Sequence, residues 1–199
     1  MTTVRVFVCG SPDRGDDAVA IRAIEDLDEQ VQALADIDVC GTLGVEDLVD
    51  VPAGTPCLVI DAAVGVGPGS IVTGTLASLA HRARSAGPAP HSSHILPIHE
   101  TMALAEAIRG SLPEGSFLGI GSASFDFGEP LSPAVEAALP DFRAAIAAEI
   151  DRLAAPSLPP GAGAPPDAGA GGGRASARKL SDAPPGSGSS ADPIAEPGT

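Results

Sequence analysis

The sequence predicts an α/β domain of three layers, with a mostly parallel, twisted sheet of about five strands flanked by helices on both faces. Two observations support this prediction. Short apolar runs rich in β-branched residues end at a glycine or a carboxylate, and stretches with helical apolar spacing separate them. Strands that alternate with helices in this way imply parallel pairing through right-handed crossover connections.

Five segments have the composition of strands. The first, Val4–Cys9, is stopped by Gly10, and the third, residues 57–61, is apolar up to its final carboxylate. The remaining candidates are residues 37–40, 71–76 and 116–120. Such continuous apolar runs are typical of strands that are covered on both faces.

The first helix is predicted from apolar spacing. Ile24, Leu27, Val31 and Leu34 recur at intervals of three and four residues, the stripe of an amphipathic helix, with Asp16 or Asp17 as its N-cap. A short helical stretch covers residues 45–49.

Two further helices are expected in the second half of the chain. One covers residues 100–109 with Met102, Ala105 and Ile108 on one side, after a loop at residues 81–97. The other begins at Ser132-Pro133 and extends to residue 153, with a kink or restart at Pro140.

Composition divides the chain into two parts. Residues 1–154 form the predicted domain, whereas residues 155–199 are rich in proline, glycine, alanine and serine, and we expect a disordered tail. The net charge of −15 argues against nucleic-acid binding because such a surface repels phosphate. The sequence lacks a membrane-spanning apolar stretch and a secretory leader pattern, and its three cysteines suggest no disulfide framework, so we expect a cytoplasmic protein with reduced thiols.

Three candidate ligands fall where a parallel sheet binds its ligands, beyond the carboxyl ends of the strands. Asp17 follows the first strand, Asp61 closes the third, and His94 lies in the long loop before the next helix. Two carboxylates and an imidazole suit a divalent cation such as nickel or zinc, with positions left open for substrate or water.

Each of these residues also has a structural interpretation. Asp17 could cap a helix, and Asp61 could bond the backbone N–H groups of the next turn. His94 is one of four histidines, with His81, His91 and His99, so its spacing alone does not single it out.

Four motifs resemble, in order and spacing, those of the nickel-iron hydrogenase maturation endopeptidases, the peptidase family M52. Residues 10–17, GSPDRGDD, resemble the opening motif, residues 59–62, VIDA, the second motif, and residues 92–94, SSH, the histidine motif. Residues 119–121 and 127–135 are similar to the closing segment, so the resemblance extends from Val4 to about residue 153. Ser11 replaces the usual asparagine and Ala18 the usual glycine.

The resemblance implies an endopeptidase that removes the C-terminal extension of a hydrogenase large-subunit precursor after nickel insertion. It places the metal-binding and catalytic roles on Asp17, Asp61 and His94, with the nickel supplied by the precursor. The precursor is the implied partner, without nucleic acid or membrane, and we expect a monomer.

Two other functions remain open at this point. Cys9 or Cys40 could serve a cysteine hydrolase together with His94 and Asp61, although both thiols continue apolar strands, which favours core packing. A non-proteolytic nickel-binding chaperone of the immature subunit would use the same three ligands. A nucleotide-binding module is disfavoured because residues 10–15 lack the G-x-G-x-x-G spacing.

Overall fold

Five strands form one sheet in the computed structural model, which describes residues 2–86 and 96–156. The strands are β1 (Val4–Cys9), β2 (Ala35–Gly41), β3 (Cys57–Ala63), β4 (Ile71–Thr75) and β5 (Gly115–Gly121). Their order in the sheet is β2-β1-β3-β5-β4, and every pairing is parallel except the antiparallel one of β4 with β5. The predicted, mostly parallel sheet of five strands is therefore confirmed.

Helices cover both faces of the sheet, which gives the three layers that the sequence predicts. One face packs against α1 (Val19–Glu25) and α6 (Pro133–Ala154), with the short α2 (Glu29–Gln32) beside them. The other face packs against α3 (Val45–Val49), α4 (Leu76–Ala86) and α5 (Ile98–Arg109).

The core has two halves because successive strand residues point to opposite faces. Val6 and Val8 of β1 join the apolar cluster under α1 and α6, whereas Phe7 and Cys9 join the cluster under the other helices. Phe142 of α6 is fully buried. Burial of a large apolar side chain contributes roughly 1.5–3 kcal/mol to the stability of the fold. The two clusters therefore hold the strands, and the loops at their ends, in place.

The helix predicted from the stripe between Ile24 and Leu34 is interrupted. A 3₁₀ turn at Gly15–Ala18 leads into α1, which ends at Glu25, and α2 begins only at Glu29. Asp28 has extended backbone geometry, with φ −59° and ψ 141°, and this breaks the helical path. The Gln32 side chain donates a hydrogen bond to the Leu27 carbonyl at 2.8 Å, which satisfies one group that the break exposes.

The prediction of a loop from residue 81 is wrong for its first part, because α4 continues to Ala86. Leu76, Leu79 and Ala80 are buried against the sheet, so this segment has an apolar face that the sequence analysis did not recognise. Residues 87–95 and the predicted disordered tail from residue 157 onward lie outside the described residues.

Two details of the later helices also differ from the prediction. Ile108 is 61% exposed, and the buried face of α5 is formed by Thr101, Met102 and Ala105. The final helix is continuous through Pro140, without a restart. In the part of the chain that the structure describes, no helix is long and apolar enough to cross a membrane.

Candidate functional site

The order of the strands places a crevice at the carboxyl ends of β1 and β3. The chain passes from β1 to β2 on one side and then returns to β3 on the other, so the direction of the sheet order changes between β1 and β3. Ligand sites of open α/β sheets lie at such switch points. Asp17 follows β1 and Asp61 lies in β3, so the topology directs both acids toward this crevice.

Asp17 and Asp61 line the same cavity, which has a volume of about 500 Å³. The structure thus brings together two predicted site residues that are 44 positions apart in the sequence. Backbone and side chains of several elements complete the wall, including those of Cys9, Thr42, Leu43, Ala62, Val64, Leu96, His99 and Phe117.

Asp61 resists ionisation in this setting. Burial raises the pKa of its carboxyl group to about 7, and the nearby negative charge of Asp17 adds to the shift. The N–H of Ala62 donates a hydrogen bond to Asp61 Oδ1 at 2.8 Å, which lowers the pKa but does not offset the burial. A cation in the cavity would therefore compete with a proton for this carboxylate.

Asp17 is less buried and has more polar support. Burial raises the pKa of its carboxyl group, although a hydrogen bond from the Ser11 backbone and the charge of Arg14 act in the opposite direction. Two carboxyl groups with raised pKa values at one cavity form a donor pair that a divalent cation would stabilise in the ionised state.

Gly10 allows the loop that carries Asp17 to fold back on the end of β1. Its φ of +114° disfavours any residue with a side chain, and an added Cβ would collide with the backbone carbonyl of Asp17. The N–H of Gly10 donates a hydrogen bond to the Gly41 carbonyl at 2.7 Å, which ties the loop to β2.

Asp16 does not cap the first helix, contrary to one prediction from the sequence. Its carboxylate is fully buried and accepts hydrogen bonds from the backbone N–H groups of Ala123, Ser124 and Ser132 and from the Ser132 hydroxyl. Burial raises the pKa of Asp16, but these hydrogen bonds outweigh it and hold the pKa below its ordinary value. Asp16 therefore fixes the loop of Asp17 to the segment between β5 and α6.

The other half of the cap prediction is also wrong, because Asp17 lies inside the 3₁₀ turn and Arg14 occupies the N-cap position. The Asp17 N–H donates to the Arg14 carbonyl at 2.9 Å, so the turn is closed by backbone bonding. Its side chain is consequently left to face the cavity.

The third predicted ligand, His94, lies outside the described residues, as does His91. Within residues 2–86 and 96–156, no group of three His, Cys, Asp or Glu side chains is arranged to hold a metal ion. Of the three predicted metal ligands, the described part of the chain therefore contains the carboxylates of Asp17 and Asp61.

His99 lines the cavity, and the sequence analysis did not select it. It belongs to the first turn of α5, five residues after His94, whereas His81 is exposed on α4. One signal in the sequence could have indicated His99: it stands at the start of the helix that follows the predicted ligand loop.

The cavity also has an apolar rim. Val64 is 81% exposed and Leu96 is 41% exposed, and both line the opening. Apolar side chains beside two acids suit a ligand that has both apolar and cationic groups.

The core-packing interpretation, made for Cys9 and Cys40, is confirmed for Cys9, whereas Cys40 is packed only in part. Cys9 and Cys57 are buried and Cys40 is half-buried. A hydrogen bond with Cys40, together with burial, raises the pKa of Cys9 well above its usual range. A thiol that resists ionisation is a poor nucleophile, which disfavours Cys9 in a cysteine hydrolase.

The chain matches no protein-family model and no curated protein sequence. Solved structures with the same fold do exist. The hydrogenase maturating endopeptidase HybD from E. coli is similar at 19% identity and a TM-score of 0.57, over 76% of this chain and 93% of that one. An endopeptidase from Escherichia coli, solved in solution, is similar at 20% identity and a TM-score of 0.58, over 76% and 93% of the two chains.

A third solved structure supports the same assignment of fold. The NiFe hydrogenase maturation protease HybD from Thermococcus kodakarensis is similar at 19% identity and a TM-score of 0.54, over 77% of this chain and 100% of that one. The chain therefore has the fold of hydrogenase maturation endopeptidases, and the predicted resemblance to this family is confirmed at the level of the fold.

Proposed function

We propose that this chain belongs to the hydrogenase maturation endopeptidases and removes the C-terminal extension of a nickel-iron hydrogenase large-subunit precursor once nickel is in place. The observation that supports this proposal most is the convergence of Asp17 and Asp61 on one cavity at the switch point of the sheet. The fold and the motif order agree with it.

In this proposal the nickel is part of the substrate. Asp17 and Asp61, which line the same cavity, bind it together, and His94 is the third predicted ligand. Since the ion is already bound in the precursor, its capture in the cavity would fix the scissile peptide bond relative to this chain's own groups. We assign recognition of the nickel to the two carboxylates.

The surroundings of the acids suit this task. Partial burial reduces competition from water, and the raised pKa values mean that ionised carboxylates are costly until a cation arrives. Val64 and Leu96 offer apolar contacts for the polypeptide on either side of the ion. A precursor without nickel would gain only the apolar contacts, so its affinity would be lower.

The decisive experiment incubates the purified chain with nickel-loaded and nickel-free precursor and follows the precursor mass. We expect a shorter product from the nickel-loaded form alone. Equal cleavage of both forms would contradict nickel recognition, and no cleavage of either form, with stable binding of the loaded one, would support the chaperone function instead.

A further inference from the structure

Two thiols meet beside the cavity, although the proposed function has no role for them. Cys9 ends β1, and Cys40 lies in the neighbouring strand β2, with its Sγ atom 3.8 Å from that of Cys9. The pairing of these strands shifts between Val8 and Cys9, so that Cys9 is opposite Gly41 and Cys40 is the additional residue of the bulge. The bulge therefore brings both side chains to one face of the sheet edge.

The distance between the sulfurs suits bond formation. A disulfide requires about 2.05 Å between sulfurs and side chains that converge, and two thiols on adjacent strands whose sulfurs are already in contact satisfy the second requirement. The remaining approach of less than about 2 Å can be made by rotation of the two side chains. The edge position of β2 and the bulge leave the local backbone free to adjust.

Small reagents have a path to this pair. Cys9 is part of the wall of the cavity of about 500 Å³, and Cys40 is half-buried on the edge strand. Cys57, the third cysteine, is fully buried at the start of β3, at the opposite end of the strands. The chain thus contains an internal control thiol with the same chemistry and no access from the cavity.

We propose that Cys9 and Cys40 form a reversible disulfide site on the wall of the cavity, which a small two-electron oxidant of the peroxide class oxidises. The Cys40 thiolate attacks one oxygen of hydrogen peroxide, the O–O bond breaks, and sulfenic acid and hydroxide form. The Cys9 thiol, held beside Cys40 with a sulfur–sulfur distance of 3.8 Å, then attacks the Cys40 sulfur while its proton passes to the leaving hydroxyl, so the S–O bond breaks and water leaves. In total, two thiols are oxidised to one disulfide while the peroxide is reduced to two waters.

The hydrogen bond between the two thiols supports this order of events. Cys40 is half-buried whereas Cys9 is 3% exposed, so Cys40 is the more accessible thiol, and its hydrogen bond with Cys9 lowers the pKa of Cys40. Thiolate character determines which cysteine reacts first with peroxide. The disulfide joins Cys9, the residue before Gly10, to the edge strand β2. The wall of the cavity is therefore cross-linked in the oxidised state and not in the reduced state.

The test uses the reduced full-length chain, treated with hydrogen peroxide, denatured, alkylated and weighed by mass spectrometry. We expect loss of two hydrogens and a fall in alkylated thiols from three to one, with a peptide that links Cys9 to Cys40 and full reversal by dithiothreitol. Cys57→Ser should form the disulfide at the wild-type rate. Cys9→Ser should keep one oxygen on Cys40, because the sulfenic acid has no partner thiol, whereas Cys40→Ser should form no disulfide.

Other results would overturn the proposal. They are retention of three alkylatable thiols, oxygen addition to separate cysteines of the wild type, or a disulfide between two chains. If Cys9→Ser does not fold, Cys9→Ala provides the second variant, and the wild-type peptide map decides by itself. All these readouts are independent of precursor cleavage, so failure here leaves the proposed function untouched.

Discussion

The carboxylate of Asp16 accepts two hydrogen bonds from Ser132, one from its backbone N–H at 2.6 Å and one from its hydroxyl at 2.9 Å. The two residues are 116 positions apart in the sequence, and the contact joins the loop before α1 to the first residue before α6. Ala123 and Ser124 donate to the same carboxylate. Asp16 is thus a structural acid, whereas its neighbour Asp17 faces the cavity.

Asp16→Asn should lower the free energy of unfolding by about 2–4 kcal/mol, because an amide group offers one acceptor oxygen to four donors and leaves buried groups unpaired. Ser132→Ala removes the hydroxyl donor alone, and we expect a loss of about 0.5–1.5 kcal/mol. Denaturant unfolding measures both. Equal effects of the two variants would show that Asp16 does not organise this contact.

Gly10→Ala should destabilise the chain more than Gly54→Ala does. Both glycines have positive φ, +114° and +80°, but an added Cβ at Gly10 meets the carbonyl of Asp17, and one at Gly54 meets nothing within 4 Å. We expect a loss of about 1 kcal/mol at Gly54 from backbone strain, and of more than about 3 kcal/mol at Gly10. Thermal unfolding of the two variants should reveal this order, and the reverse order would contradict the loop geometry.

The metal-free chain should lose stability as the pH rises through the range in which Asp61 titrates. The pKa of Asp61 is about 7 in the folded chain, above the ordinary value of 3.8, so the folded chain binds more protons than the unfolded chain between these values. Its free energy of unfolding therefore falls with rising pH, by about 2–4 kcal/mol for this group.

Asp61→Asn isolates this contribution, because the amide does not titrate. The difference in stability between wild type and variant should grow from about pH 4 to about pH 7 and then level off. Asp13→Asn is the control, since Asp13 is exposed in the same region of the chain as Asp17 and outside the cavity lining. A wild-type profile that parallels that of Asp61→Asn would refute the raised pKa.

The sequence predicted the centre of the sheet well because β1, β3 and β5 are largely buried on both faces and therefore appear as short continuous apolar runs. Asp17 and Asp61 could be placed because the carboxyl ends of parallel strands meet at one edge. Apolar spacing was a poorer guide to the first helix. The spacing continues past Asp26, but the backbone of Asp28 leaves the helical conformation and ends the helix.

The role of Asp16 could not be predicted from local patterns. An acid at the start of a helix is usually a cap, and nothing near Asp16 in the sequence indicates that its partners lie beyond residue 120. His99 was missed for a related reason, since its place in the cavity depends on how α5 packs against the sheet. The surroundings of both residues are determined by contacts between segments that are far apart in the sequence.

The most direct test of nickel recognition compares the cleavage rate of nickel-loaded precursor by wild type, Asp17→Asn, Asp61→Asn and Asp13→Asn. Loss of one charged ligand contact is worth about 1.5–3 kcal/mol, so we expect each cavity variant to be slower by about tenfold to a hundredfold at limiting precursor concentration. Asp13→Asn should match the wild type within about twofold. Wild-type cleavage rates for both cavity variants would contradict the recognition of nickel by Asp17 and Asp61.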